Sequence, residues 1–131
     1  MEFTQGARFD TFGLSEETMR AIRNKHYEIS TPVQAGCIPP MLQGKDVIAK
    51  APTGTGKTMA FGIPIIERVD PESETVQAII LAPTRELAIQ ITEEMREVAV
   101  RNIEQMRKST CEMIASFRKT YKMMLASEAC K

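Results

Sequence analysis

The stretch Ala51-Pro52-Thr53-Gly54-Thr55-Gly56-Lys57-Thr58 has the residue types of a phosphate-binding turn. Gly54 and Gly56 permit backbone conformations closed to other residues, so successive N–H groups can point inward at phosphate oxygens. A helix starting near Thr58 adds its positive end to that cradle. Lys57 has the length to reach the β- and γ-phosphates of a nucleotide, and the Thr58 hydroxyl can ligate Mg²⁺. The alternative is a flexible loop that contains Gly-Lys-Thr by accident. At average residue usage, Gly-x-Gly-Lys-Thr arises by chance in on the order of one in several hundred chains of this size. One departure from the generic pattern G-x-x-x-x-G-K-T is present: Ala51 stands where the first glycine belongs.

The flanks supply the context that such a turn requires. Asp46-Val47-Ile48-Ala49-Lys50 reads as a short strand before it, and a helix is expected from Thr58 towards Arg68. Asp70-Pro71-Glu72-Ser73 is a loop. Residues 76–82 are apolar nearly throughout, as in a strand buried on both faces, and Pro83-Thr84 ends them before a helix from about Arg85. Strand, helix, strand, helix in this order predicts an α/β fold with parallel strands. Upstream, Ser15 reads as an N-cap with Glu16 and Glu17 in the first turn. Thr31-Pro32-Val33-Gln34 is a second helix start, with a cap, a first-turn proline and a capping-box glutamine. Pro39 and Pro40 are expected to bend or interrupt that helix before Gly44.

Bulk properties bound the rest. The chain has 131 residues, 43% hydrophobic and 26% charged, which fits one soluble globular domain. No apolar run approaches a membrane span, and Met1 to Asp10 lacks the apolar core of a signal peptide, so a cytoplasmic location with no membrane partner is expected. Cys37, Cys111 and Cys130 have no CxxC spacing and read as reduced thiols. The formal net charge is zero, but residues 1–100 hold ten Lys/Arg against fourteen Asp/Glu, and residues 101–131 hold seven Lys/Arg against three Glu. The first hundred residues are therefore not a polycation that coats nucleic acid; any RNA contact there must be local.

These motifs together resemble the amino-terminal part of a DEAD-box RNA helicase. Ala51 to Thr58 is similar to that family's Ala-x-Thr-Gly-x-Gly-Lys-Thr, which accounts for Ala51. Tyr27-Glu28-Ile29-Ser30-Thr31-Pro32-Val33-Gln34 resembles its Q motif, with Ser30 in place of the usual proline, and Phe9 sits where the family places an isolated aromatic. Pro83-Thr84-Arg85-Glu86-Leu87-Ala88-Ile89-Gln90 resembles its motif Ia. The resemblance runs from about Phe9 to Thr92.

It implies a partial RecA-like P-loop domain over residues 1–100, with ATP and Mg²⁺ as ligands. Gln34 would read the adenine edge, with Tyr27 and Phe9 packing on the base. Thr53, Gly54, Thr55, Gly56, Lys57 and Thr58 would hold the phosphates, Lys57 and Thr58 as the catalytic pair and Thr58 on Mg²⁺. Pro83, Thr84, Arg85 and Glu86 would hold an RNA backbone without reading its sequence. Two alternatives run beside these roles: Gln34 as a capping residue only, and Arg85 with Glu86 as a pair or cap only.

The family's Asp-Glu-Ala-Asp, whose first residues orient Mg²⁺ and activate water, does not occur, and no aspartate follows Asp70. The Ser-Ala-Thr motif and the second RecA-like domain are absent too. Whether the chain is itself an ATP hydrolase stays open, and unwinding by it alone is not expected. Ile103, Met106, Met113, Phe117, Tyr121 and Met124 form a helical stripe, with Arg107, Lys108, Arg118, Lys119 and Lys122 largely off it. Residues 101–131 thus read as a basic amphipathic helical tail. It is either a surface for RNA, protein or membrane, a cover for apolar sheet, or a truncated or frameshifted continuation, the last being the reading adopted. Two function classes remain: the front part of a helicase core, and a non-catalytic nucleotide- or RNA-binding module.

Overall fold

The computed structural model describes residues 5–70 and 72–99. The expected tail over 101–131 lies outside them. A 3₁₀ turn at Phe9–Phe12 is followed by four helices: α1 (Glu16–Asn24), α2 (Pro32–Leu42), α3 (Lys57–Arg68) and α4 (Arg85–Val98).

Local chemistry starts each helix where the sequence places it. The Ser15 hydroxyl accepts from the Thr18 N–H at the head of α1. At α2 the capping box is closed in both directions: Thr31 Oγ1 accepts from Gln34 N, and Gln34 Oε1 accepts from Thr31 N at 2.9 Å. Thr84 Oγ1 accepts from Leu87 N at 3.2 Å to open α4. α1 ends at Asn24 with Lys25 as its C-cap, and the next residue, His26, has a φ of 58° that puts a side-chain-bearing residue in the left-handed region while its N–H bonds the Arg23 carbonyl at 2.8 Å.

Of the bend or interruption expected at Pro39-Pro40, the interruption does not occur. α2 runs through both prolines to Leu42 and stops before Gly44, whose φ is 78°. Each proline removes one i→i−4 bond, leaving the carbonyls of Ala35 and Gly36 without their helical donors. Packing outweighs that loss: Val33, Cys37 and Ile38 of α2 are buried, the first two against Ala60 of α3.

The main core gathers Phe9, Met19, Ala21, Ile22, Ile38, Met59, Ile63 and Val98, with at least one residue from every helix. Gly62 of α3 faces Met95 of α4, where a Cβ would lie 3.4 Å from Met95 Cγ, an ordinary contact distance. Polar ties bind α1 to its neighbours. The partly buried Glu67 carboxylate, near the end of α3, accepts from Ser15 N at 2.9 Å, from Ser15 Oγ at 2.7 Å and from Thr18 Oγ1. Lys25 pairs with Glu97 of α4.

The parallel strands are not seen: among the described residues the β structure is one antiparallel bridge, Arg8 with Ile29. Residues 46–50 and 76–82 are extended but unladdered. Their side chains still alternate. Val47 and Ala49 turn towards α2 and α3 while Ile48 is fully exposed, and from residue 78 on Ala78, Ile80 and Ala82 are half-buried while Ile79 and Leu81 stand in solvent; Val76, before that run, is exposed too. The period of two is that of extended chain; a ladder also needs a neighbour, and none lies beside either segment among the described residues.

Removing the Glu67 carboxylate strands a helix-capping N–H and two hydroxyls at a partly buried site. Glu67→Ala is expected to lower stability by about 1–3 kcal/mol, read as a fall in urea midpoint.

Candidate nucleotide site

Residues 51–56 turn between extended chain and the first turn of α3. Gly54 and Gly56 adopt φ of 80° and 79°, the left-handed region that a side chain disfavours. The Thr55 hydroxyl donates to the Pro52 carbonyl at 2.7 Å and closes the turn. Gly56 is the N-cap of α3 and offers no side chain, so the first amides of the helix stay open towards the loop. The Lys57 ammonium folds back over that loop, donating to the carbonyls of Ala51 and, at 2.8 Å, Pro52. Thr58, one residue into α3, is half-buried.

Gln34 enters the same site from α2. It is buried, 6% exposed, and its Nε2 donates to the Gly56 carbonyl at 3.1 Å while its Oε1 serves the capping box. Capping and contact with the nucleotide loop therefore coexist. A Cβ on Gly56 would sit 2.4 Å from Gln34 Nε2, so a side chain here would displace the Gln34 amide and would also be strained by the φ. The tie between Gln34 and Gly56 was not visible as a pair in the sequence, where the two lie in separate motifs; the glycine's second constraint is its only trace.

The aromatic residues separate. Tyr27 is half-exposed, with the Lys25 ammonium 5.8 Å from its ring centroid. Phe9 is in the core, 2% exposed and edge-on to Phe12 at 5.8 Å between centroids. Its backbone N–H reaches the Glu28 carbonyl at 3.4 Å. In this arrangement Phe9 braces the segment that carries Tyr27 from behind. At the far end of the sequence pattern, Pro83, Thr84, Arg85 and Glu86 are all exposed, and Arg85 and Glu86 have no hydrogen-bond or salt-bridge partner among the described residues.

A cavity of about 220 Å³ lies under the loop between α2, α3 and residues 47–49. Apolar side chains and Cys37 line it, with Lys57 the one charged group, so it lacks the donors that a triphosphate needs. Burial pushes the Cys37 thiol above its usual range. Among the described residues no group of three or more His, Cys, Asp or Glu could hold a metal, and no helix is long and apolar enough to cross a membrane.

An open turn with two left-handed glycines, a helix N-terminus, a lysine and a threonine has the donor set for a nucleotide's phosphates and their magnesium ion. The whole sequence supports the same class: residues 31–127 match the DEAD/DEAH box helicase family, and the chain belongs to that family. The match reaches well past Thr92, where the motif resemblance stops. The chain is 56% identical over 87 residues to the DEAD-box ATP-dependent RNA helicase CshA of Bacillus subtilis, an alignment covering 66% of this chain and 18% of that protein. It is 58% identical over 87 residues to CshA of Geobacillus kaustophilus, covering 66% and 19%. Among solved structures it resembles a DEAD box protein from the hyperthermophile Methanococcus jannaschii, with a TM-score of 0.70, 40% identity, and coverage of 74% of this chain and 27% of that one. It also resembles Saccharomyces cerevisiae Dbp5 bound to RNA and ADP BeF3, with a TM-score of 0.67, 37% identity, and coverage of 70% and 24%. The chain thus spans under a fifth of the length of these curated relatives.

Gly56→Ala is expected to weaken magnesium-nucleotide binding at least tenfold, measured by calorimetry, because the new methyl group meets the Gln34 amide. Cys37 is expected to react with iodoacetamide at pH 8 at least tenfold more slowly in the folded than in the urea-unfolded chain. Its raised pKa leaves less thiolate at that pH, and burial limits access; peptide mapping by mass spectrometry reads the difference.

Proposed function

We propose that this chain binds Mg-ATP and an RNA backbone as the front part of the first RecA-like domain of an ATP-dependent RNA helicase core, in the cytoplasm. The observation that carries the reading is the bond from Gln34 Nε2 to the Gly56 carbonyl, which joins a base-reading amide to a phosphate loop. In this role Gln34 keeps one N–H and one lone pair free for the adenine edge, whose donor and acceptor alternate in the way a carboxamide matches. Tyr27 packs on the base, and Phe9 holds Tyr27's segment in place. The amides from Thr53 to Thr58 receive the phosphates. Lys57 exchanges the carbonyls of Ala51 and Pro52 for phosphate oxygens, a stronger charge-assisted pairing. The Thr58 hydroxyl holds the magnesium ion, which supplies charge neutralisation on the phosphates. The RNA surface is Pro83 to Glu86, where a helix N-terminus and a free Arg85 can take a phosphate group regardless of base.

A second reading is a nucleotide- or RNA-binding module without turnover. Phosphate release with RNA present separates the two. Turnover that Lys57→Ala abolishes supports the enzyme; binding without turnover supports the module.

Calorimetry is expected to show tighter binding of Mg-ATP than of Mg-GTP, and Lys57→Ala is expected to cut ATP affinity at least tenfold. Equal affinity for the two nucleotides would remove Gln34 from the base site. No heat with either would remove the phosphate loop.

A further inference from the structure

We propose that Ser30 is a positioning residue for base selection, fastening the lead-in at Gly6-Ala7 to the segment Tyr27–Gln34 so that this segment meets a purine in one register. The inference rests on the adenine role given to that segment above.

Ser30 stands where the family pattern has proline, and the structure uses each group that proline lacks. It is buried, 3% exposed. Its hydroxyl accepts from Ala7 N at 3.0 Å and donates to the Ala7 carbonyl at 2.8 Å. Its backbone N–H donates to the same carbonyl at 2.8 Å. One residue of the lead-in is thus gripped by three hydrogen bonds from one serine. A proline could form none of them, having neither the hydroxyl nor the N–H. The neighbours extend the grip: Arg8 bridges Ile29, and Phe9 N reaches the Glu28 carbonyl.

Gly6 completes the fit. It lies on the exposed lead-in, yet a Cβ there would fall 1.9 Å from the Ser30 carbonyl oxygen and 3.0 Å from Ile29 Cγ2. The close approach that lets Ala7 engage Ser30 therefore admits only glycine at residue 6.

The consequence runs towards the site. Ser30 is followed directly by Thr31, the N-cap of α2; Thr31 and Gln34 hold each other; and Gln34 holds Gly56. A continuous series of hydrogen bonds joins Ala7 to the phosphate loop. Tyr27 lies three residues before Ser30 on the segment that the grip fixes. Slack at Ser30 therefore acts first on Tyr27 and on the Thr31–Gln34 cap, whereas the turn at 51–56 also has ties of its own, from Thr55 Oγ1 to the Pro52 carbonyl and from Lys57 Nζ to the carbonyls of Ala51 and Pro52.

The test is calorimetric titration of the full chain with Mg-ATP and with Mg-GTP, with circular dichroism to confirm folding. Ser30→Ala is expected to weaken ATP at least fivefold and to change GTP by less than twofold, so the ATP-to-GTP preference falls. A loss of folded protein would weaken both nucleotides together, which a purely structural role predicts. Should Ser30→Ala not fold, Gly6→Ala carries the same expectation, because its methyl group pushes the lead-in away while leaving Ser30 intact. An unchanged preference in the folded variant, or an equal loss for both nucleotides, overturns the role of Ser30 and leaves the nucleotide site standing. No preference for ATP in the unmodified chain overturns the adenine reading itself, and Ser30's role with it.

Discussion

The Gln34 carboxamide is buried between the first turn of α2 and the glycine-rich turn at 51–56, with its oxygen held by the Thr31 amide and its nitrogen by the Gly56 carbonyl. A buried amide must keep its partners or bear a desolvation penalty of about 1–3 kcal/mol. The start of α2 and the start of α3 are therefore placed relative to each other by one side chain. That constraint propagates. Gly56 must lack a Cβ, and its left-handed φ turns the chain into α3 with the first amides uncovered. Apolar contacts of Val33 and Cys37 with Ala60 then bring the two helices together beneath it.

Around that pair the other elements have mechanical rather than chemical roles. α1 is tied at its head to Glu67 of α3 and beyond its last turn to Glu97 of α4. α4 is anchored by Ile91 and Val98 and leaves its first turn, Arg85 to Leu87, in solvent.

Helix starts were the most legible features of the sequence because they are local: Ser15, Thr31 with Gln34, and Thr84 each bond an amide three residues on, so spacing alone specifies them. The left-handed backbone at Gly54 and Gly56 was legible for the same reason. What spacing could not specify were bonds between distant residues. Gln34 with Gly56 is 22 positions apart, Ser15 with Glu67 is 52, and the burial of Phe9 depends on a core drawn from every helix. The break expected at Pro39-Pro40 failed because two lost hydrogen bonds weigh less than the buried face of α2. Residues 46–50 and 76–82 have strand composition and strand alternation, yet a strand is defined by a neighbour, and composition does not supply one.

The two prolines of α2 have a mechanical consequence. By interrupting the hydrogen-bonded scaffold between residues 35–36 and 39–40, they leave the helix with unequal halves. The half that begins at Thr31 is locked by a reciprocal cap and a bond to the neighbouring loop; the half that ends at Leu42 has lost two of its longitudinal braces. Flexural compliance is thereby concentrated away from Gln34. Distortion arriving from the Gly44 end is absorbed at mid-helix, and the amide at residue 34 keeps its aim.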